Sequence, residues 1–95
     1  MNHYLVAFSV VDPRREEALV AELRRSRSWL RSPFPGLWMV CTPERIEVLQ
    51  DRCGQHLVLD DDEGDLIWIR YQRRGDAQDG WLPRWAWEWL NTHLA

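Results

Sequence analysis

The apolar positions of the chain fall into short runs separated by turn residues, and the period changes from run to run. Tyr4 to Val11 is apolar on both parities: Tyr4, Val6, Phe8 and Val10 point one way, and Leu5, Ala7, Ser9 and Val11 the other. Such a pattern predicts a strand covered on both faces. Asp12-Pro13 follows. Asp12 is placed to cap free backbone N–H groups, and proline at the first helical position gives up a donor that has no partner there. Glu16 and Glu17 suit the positive end of the helix dipole. A helix is predicted to about Arg27, burying Leu19, Val20 and Leu23.

Trp29 to Ser32 reads as a short strand, Pro33 to Gly36 as a turn, and Leu37 to Cys41 as a second apolar strand. Thr42-Pro43 repeats the Asp12-Pro13 device. The helix it opens places Ile46, Leu49 and Cys53 on one face and stops at Gly54. The acidic stretch Asp60 to Asp65 reads as a solvated loop before the strand Leu66 to Tyr71. Residues 73–80 read as a turn or loop. The segment from about 80 to 95, rich in tryptophan, closes the chain as a short helix opened by Pro83.

The predicted order is β-α-β-β-α-β with an added C-terminal helix, an α+β fold of the ferredoxin-like, split-βαβ kind forming a single domain over residues 1–95. Its two helices cover one face of the sheet. The apolar second parity of the strands then calls for a cover on the other face, and in so small a chain a second subunit is the expected one.

Composition narrows the function classes. No run approaches the roughly 20 apolar residues of a membrane helix. No basic segment followed by an apolar core opens the sequence, so a cytoplasmic location is expected. Cys41 and Cys53 fit no metal-binding spacing, and His3, His56 and His93 lie far apart with no i, i+4 pair. Both cysteines read as small buried hydrophobes, and no metal or cofactor is expected. The net charge of −3 excludes a generally basic nucleic-acid binder. Every basic residue is arginine, however, and Arg24, Arg25, Arg27 and Arg31, with Arg14 and Arg15 upstream, are the candidates for phosphate contact. Pairing with Glu16, Glu17 or Glu22 across a solvated helix face is the alternative. Trp81, Trp85, Trp87 and Trp89 could stack on bases, but Trp85 and Trp89, four residues apart with Trp81 a turn earlier, are read as a packing stripe against the domain or, through the tryptophan-rich tail, across a dimer. The acidic stretch fails the EF-hand pattern, because the position that needs an acid is Leu59.

Several of these segments together carry a family resemblance: "YLVAFSVVD", "LWMVCT" before a proline, "LDDDEGDLIWI" and the "WAW…WL" tail. In element order and in these motifs the chain resembles the SinR-like relatives of the CRISPR-associated Cas-two family. The resemblance implies a ferredoxin-like homodimer whose sheets face each other. In nuclease-competent members a Tyr-Asp pair ends the first strand, and the two aspartates of the dimer hold a divalent metal. Here Phe8-Ser9 stands at that position. A hard cation such as Mg²⁺ wants carboxylate oxygens, and a serine hydroxyl supplies no charge. Asp12, directly before Pro13, reads as a helix cap rather than a substitute ligand.

The expectation is therefore a non-catalytic homodimeric module, a scaffold in a nucleic-acid-related or defence system, without catalytic residues and with itself, a partner protein or nucleic acid as partner. The alternatives are a metal-dependent endoribonuclease, which would require Mg²⁺ or Mn²⁺, and a nucleic-acid binder without chemistry.

Overall fold

The structure, a computed structural model, describes residues 1–60, 64–75, 78 and 80–94. Four strands form one antiparallel sheet: β1 (Asn2–Ser9), β2 (Ser28–Arg31), β3 (Leu37–Thr42) and β4 (Leu66–Gln72), in the order β2-β3-β1-β4. The helices are α1 (Pro13–Arg24), α2 (Ile46–Gly54) and α3 (Arg84–Leu94). Among the described residues no helix is long and apolar enough to cross a membrane.

β1 occupies the middle of the sheet, bonded to β3 from Asn2↔Thr42 to Ala7↔Leu37 and to β4 from His3↔Gln72 to Ser9↔Leu66. Its first parity builds the main core. Tyr4, Val6 and Phe8 pack with Trp38 and Val40 of β3, under Leu19 and Leu23 of α1 and Leu49 and Cys53 of α2. Tyr4 donates its hydroxyl to the Glu44 carbonyl at 2.7 Å, so this large ring is buried with its one polar atom satisfied.

The second parity is covered in part from within the chain. α3 lies across this face and buries Ala86, Leu90 and Leu94 against Leu30, with Met39, Leu82, Trp87 and Trp89 packed around them. The seam of α3 is thus small and aliphatic. The tryptophans flank it: Trp85 is half exposed and Trp81 fully exposed. Of the expected tryptophan stripe, Trp89 packs against the domain while Trp85 and Trp81 face outward. Alanine and leucine at i, i+4 and i+8 let the helix approach the sheet closely, which a row of indoles would prevent.

Three predicted boundaries also move. β1 ends at Ser9, two residues early, because the Val11 N–H is taken by the Asp65 carboxylate at 3.0 Å and cannot join a ladder. α1 ends at Arg24, not Arg27. α2 begins at Ile46 rather than after Thr42, with Arg45 as an N-cap whose side chain makes no capping hydrogen bond. Thr42 remains in β3 opposite Asn2, and its hydroxyl accepts from the Glu44 N–H. Asn2 and Tyr4 both donate to the Glu44 carbonyl, so these residues are held in a strand-end turn.

The β2–β3 connection leans on the core strand. Gly36 has φ +69°, its carbonyl accepts from the Phe8 N–H at 2.8 Å, and a Cβ on it would overlap the Phe8 carbonyl oxygen. Left-handed backbone alone costs a residue with a side chain about 1–2 kcal/mol, and here the overlap is with backbone that cannot rotate away. Gly36→Ala is expected to destabilise the fold by at least about 2 kcal/mol. Urea denaturation measures this, and an unchanged midpoint would contradict the close approach of the turn to β1.

Candidate functional site

Among the described residues, three places gather chemistry-bearing side chains. The first is the exit of β1, where the resemblance puts a metal-binding aspartate. Ser9 is exposed there, opposite Leu66. Asp12 is committed to α1: its Oδ1 accepts from the Arg14 N–H at 2.8 Å, with extended backbone at φ −91° and ψ 121°. Oδ2 lies 3.5 Å from Nη1 of Arg15.

The nearby Asp65 is also engaged. Its carboxylate accepts from Nε and Nη2 of Arg15 at 2.8 and 3.2 Å and from the N–H groups of Val11 and Val58, both at 3.0 Å. Arg15, then the two backbone donors, hold its carboxyl well below the usual carboxylate range, against the opposing effect of burial. Asp65 therefore closes the acidic stretch as a buried anchor, not as part of a solvated loop. Asp61, Asp62 and Glu63 lie outside the described residues, as do Asp76, Ala77 and Asp79 of the predicted 73–80 loop. Four donors on one carboxylate tie the start of α1 to the approach of β4. Around Ser9 the chain thus offers a neutral hydroxyl and two carboxylates already occupied by its own donors.

The second place is the arginine set, which the fold divides. Arg15 belongs to Asp65. Arg25 pairs with Glu22 at 3.3 Å. Arg24 turns its guanidinium over Trp29 and Trp38, 5.6 and 5.9 Å from the ring centres, an arrangement that holds a cation against aromatic faces. Arg24 and Arg31 share the wall of a groove between α1 and the β2–β3 turn, with Phe34 nearby and Glu16 and Glu17 on the same wall. Arg14 and Arg27 are exposed elsewhere. Glu22 is buried and also receives Arg52 at 3.0 Å and His56 at 3.1 Å. His56, then Arg52 and Arg25, hold its carboxyl below the ordinary value against the cost of burial.

The third place lies under the last turn of α3. His3 of β1 and Cys41 of β3 are direct cross-strand partners, and Ser28 of β2 continues the row. His93 of α3 comes down onto them, its ring centre 5.7 Å from that of His3. Trp89 stacks on His93 at 4.1 Å and donates its indole N–H to the Ser28 hydroxyl at 3.0 Å, which in turn lies 3.3 Å from Nε2 of His93. One ligating atom from each of His3, Cys41 and His93 lies within 4.8 Å of the other two. His3 and Cys41 are buried and His93 is half-buried. Nε2 of His3 is a buried polar atom with no hydrogen-bond partner among the described residues, a state that costs about 1–3 kcal/mol. Burial lowers the pKa of both imidazoles. His93 and Arg74 add to the effect at His3, and Arg74 at His93.

Sequence distance gave no reason to join His3, Cys41 and His93. One signal was present: His3 shares the parity of Leu5 and Ala7, and Cys41 that of Leu37 and Met39, so both face whatever covers the second side of the sheet. Cys53 lies in the opposite core, where burial pushes its thiol up to about 11.

Comparison of the chain with protein-family models, with curated proteins and with solved structures returns no match.

The Asp65 anchor has a pH signature. A carboxyl whose pKa is depressed on folding contributes stability that is present above its unfolded value, about 3.9, and lost as pH falls below it. Wild-type stability is therefore expected to fall between about pH 4 and pH 2. Asp65→Asn is expected to be less stable at neutral pH and to show a flatter acid limb. Denaturant melts across this range test it, and parallel wild-type and mutant limbs would contradict it.

Proposed function

We propose that the chain is a non-catalytic interaction module of the ferredoxin-like, Cas-two-like or SinR-like kind that works as a homodimer through its second sheet face. The strand order β4-β1-β3-β2, with α1 and α2 on one face, agrees with a ferredoxin-like arrangement of the first six elements.

The observation that carries the reading is the part of the sheet that α3 leaves uncovered. Ala7 and its partner Trp68, and Ser9 and its partner Leu66, share that face, and Trp68 and Leu66 are 53% and 65% exposed. A second copy would meet this face with an identical one, the self-complementary arrangement of a two-fold dimer.

A metal-dependent endoribonuclease has less support. Ser9 brings no carboxylate, and Asp12 and Asp65 are held by Arg14, Arg15, Val11 and Val58. Nucleic-acid binding rests on Arg24 and Arg31 in one groove, offset there by Glu16 and Glu17.

Two outcomes are expected. Size-exclusion chromatography with light scattering should give a dimer at micromolar concentration, with an interface of about 1,200–2,000 Å² in total. Ala7→Glu should convert it to a folded monomer, whereas a wild type that stays monomeric at its solubility limit would refute the proposal. The wild type should also cleave neither RNA nor DNA with Mg²⁺ or Mn²⁺, and Ser9→Asp should gain weak Mg²⁺ binding by calorimetry while loosening the dimer through facing like charges. Tight Mg²⁺ binding by the wild type, or cleavage abolished by Ser9→Ala, would overturn the non-catalytic reading.

A further inference from the structure

We propose that His3, Cys41 and His93 form a site for a borderline-soft transition-metal ion, with zinc as the expected occupant. The inference is independent of the dimer, because all three ligands come from one chain.

The donor set is one thiol and two imidazoles, the types that zinc takes in tetrahedral sites and that Mg²⁺ and Ca²⁺ do not. Zn–N distances of about 2.0–2.1 Å and a Zn–S distance of about 2.3 Å put tetrahedral ligand atoms about 3.3–3.6 Å apart. The atoms here lie within 4.8 Å of one another, so closing the site takes movements of about an ångström. His93, half-buried on the last turn of the chain's last helix, is the side chain best placed to make them.

A second observation points to a ligand. His3 is 5% exposed, yet its Nε2 has no hydrogen-bond partner among the described residues. A buried imidazole kept only for packing wastes that atom, and an apolar side chain would fill the place without the penalty. The surroundings also fit. Ser28 and Trp89 hold the His93 ring by a hydrogen bond and by stacking, the kind of outer support that orients an imidazole toward a metal. Arg74 and the N-terminal amine add positive charge near His3. On binding, the Cys41 thiol releases its proton to solvent and the sulfur lone pair forms the metal bond. Three protein ligands leave a fourth position for water or for a group from outside.

The test uses the full, untagged chain with a reductant that does not bind metals. Zn²⁺ titration should show one ion per chain and raise the melting temperature. Co²⁺ should give the thiolate-to-cobalt charge-transfer band, which only a bound cysteine produces. Cys41→Ser should lose the band, and His93→Gln, at a half-buried position and checked for an unchanged circular-dichroism spectrum, should weaken Zn²⁺ binding at least about 10-fold. Cys53→Ala, in the opposite core, should keep both. Absence of the band in the wild type, its survival in Cys41→Ser, its loss in Cys53→Ala, or unchanged affinity in His93→Gln would each overturn the proposal.

Discussion

β1 is hydrogen-bonded along both edges, so its backbone is fully committed and its side chains face two layers at once. Burying a large apolar side chain is worth about 1.5–3 kcal/mol, whereas a hydrogen bond contributes a net of about 1 kcal/mol. Covering the two parities of this strand is thus the demand that organises the molecule. α1 and α2 meet it on the side of Tyr4, Val6 and Phe8. α3 meets it on the other side as far as Leu30 and Met39 and stops short of Ala7 and Trp68. The polar contacts then fix how the chain enters and leaves the strand. Asn2 and Tyr4 bond the Glu44 carbonyl at one end, and Phe8 and Val11 bond Gly36 and Asp65 at the other.

Much of this was legible in the hydrophobic pattern. The two-sided run from Tyr4 onward, the Asp12-Pro13 start and the i, i+3, i+7 face of Ile46, Leu49 and Cys53 depend on neighbours in sequence, where spacing translates directly into faces. The identity of the second cover was not legible. Apolar residues on a strand say that something packs on them, and only the register of α3 says that its Ala86, Leu90 and Leu94 do so.

The same distinction explains the other differences. Thr42-Pro43 carries the residues of a helix cap, but the strand pairing with Asn2 and the demand on the Glu44 carbonyl outweigh a cap worth about 1 kcal/mol. Asp65 looks like one acid among several, and its burial is decided by Arg15, fifty residues away in sequence. The arginines looked like a patch because they are close in sequence. Glu22, Asp65 and two tryptophans draw them to different sides of α1. The row of His3, Cys41 and Ser28 under His93 needs strand register and helix placement together, and neither is written in local spacing.

The meeting of the first strand with the last helix has a mechanical consequence. With His3 against His93, the two ends of the described chain emerge side by side. A tension pulling them apart would first peel α3 from its last turn backward. The load would then pass to His3 and Gln72, directly opposed at one end of the antiparallel β1–β4 ladder. Force applied there opens the ladder pair by pair, like a zip, rather than shearing all its bonds together. A load applied at these two points would therefore meet the β1–β4 ladder in its unzipping direction, and the contacts that clamp His93 to the sheet would bear it first.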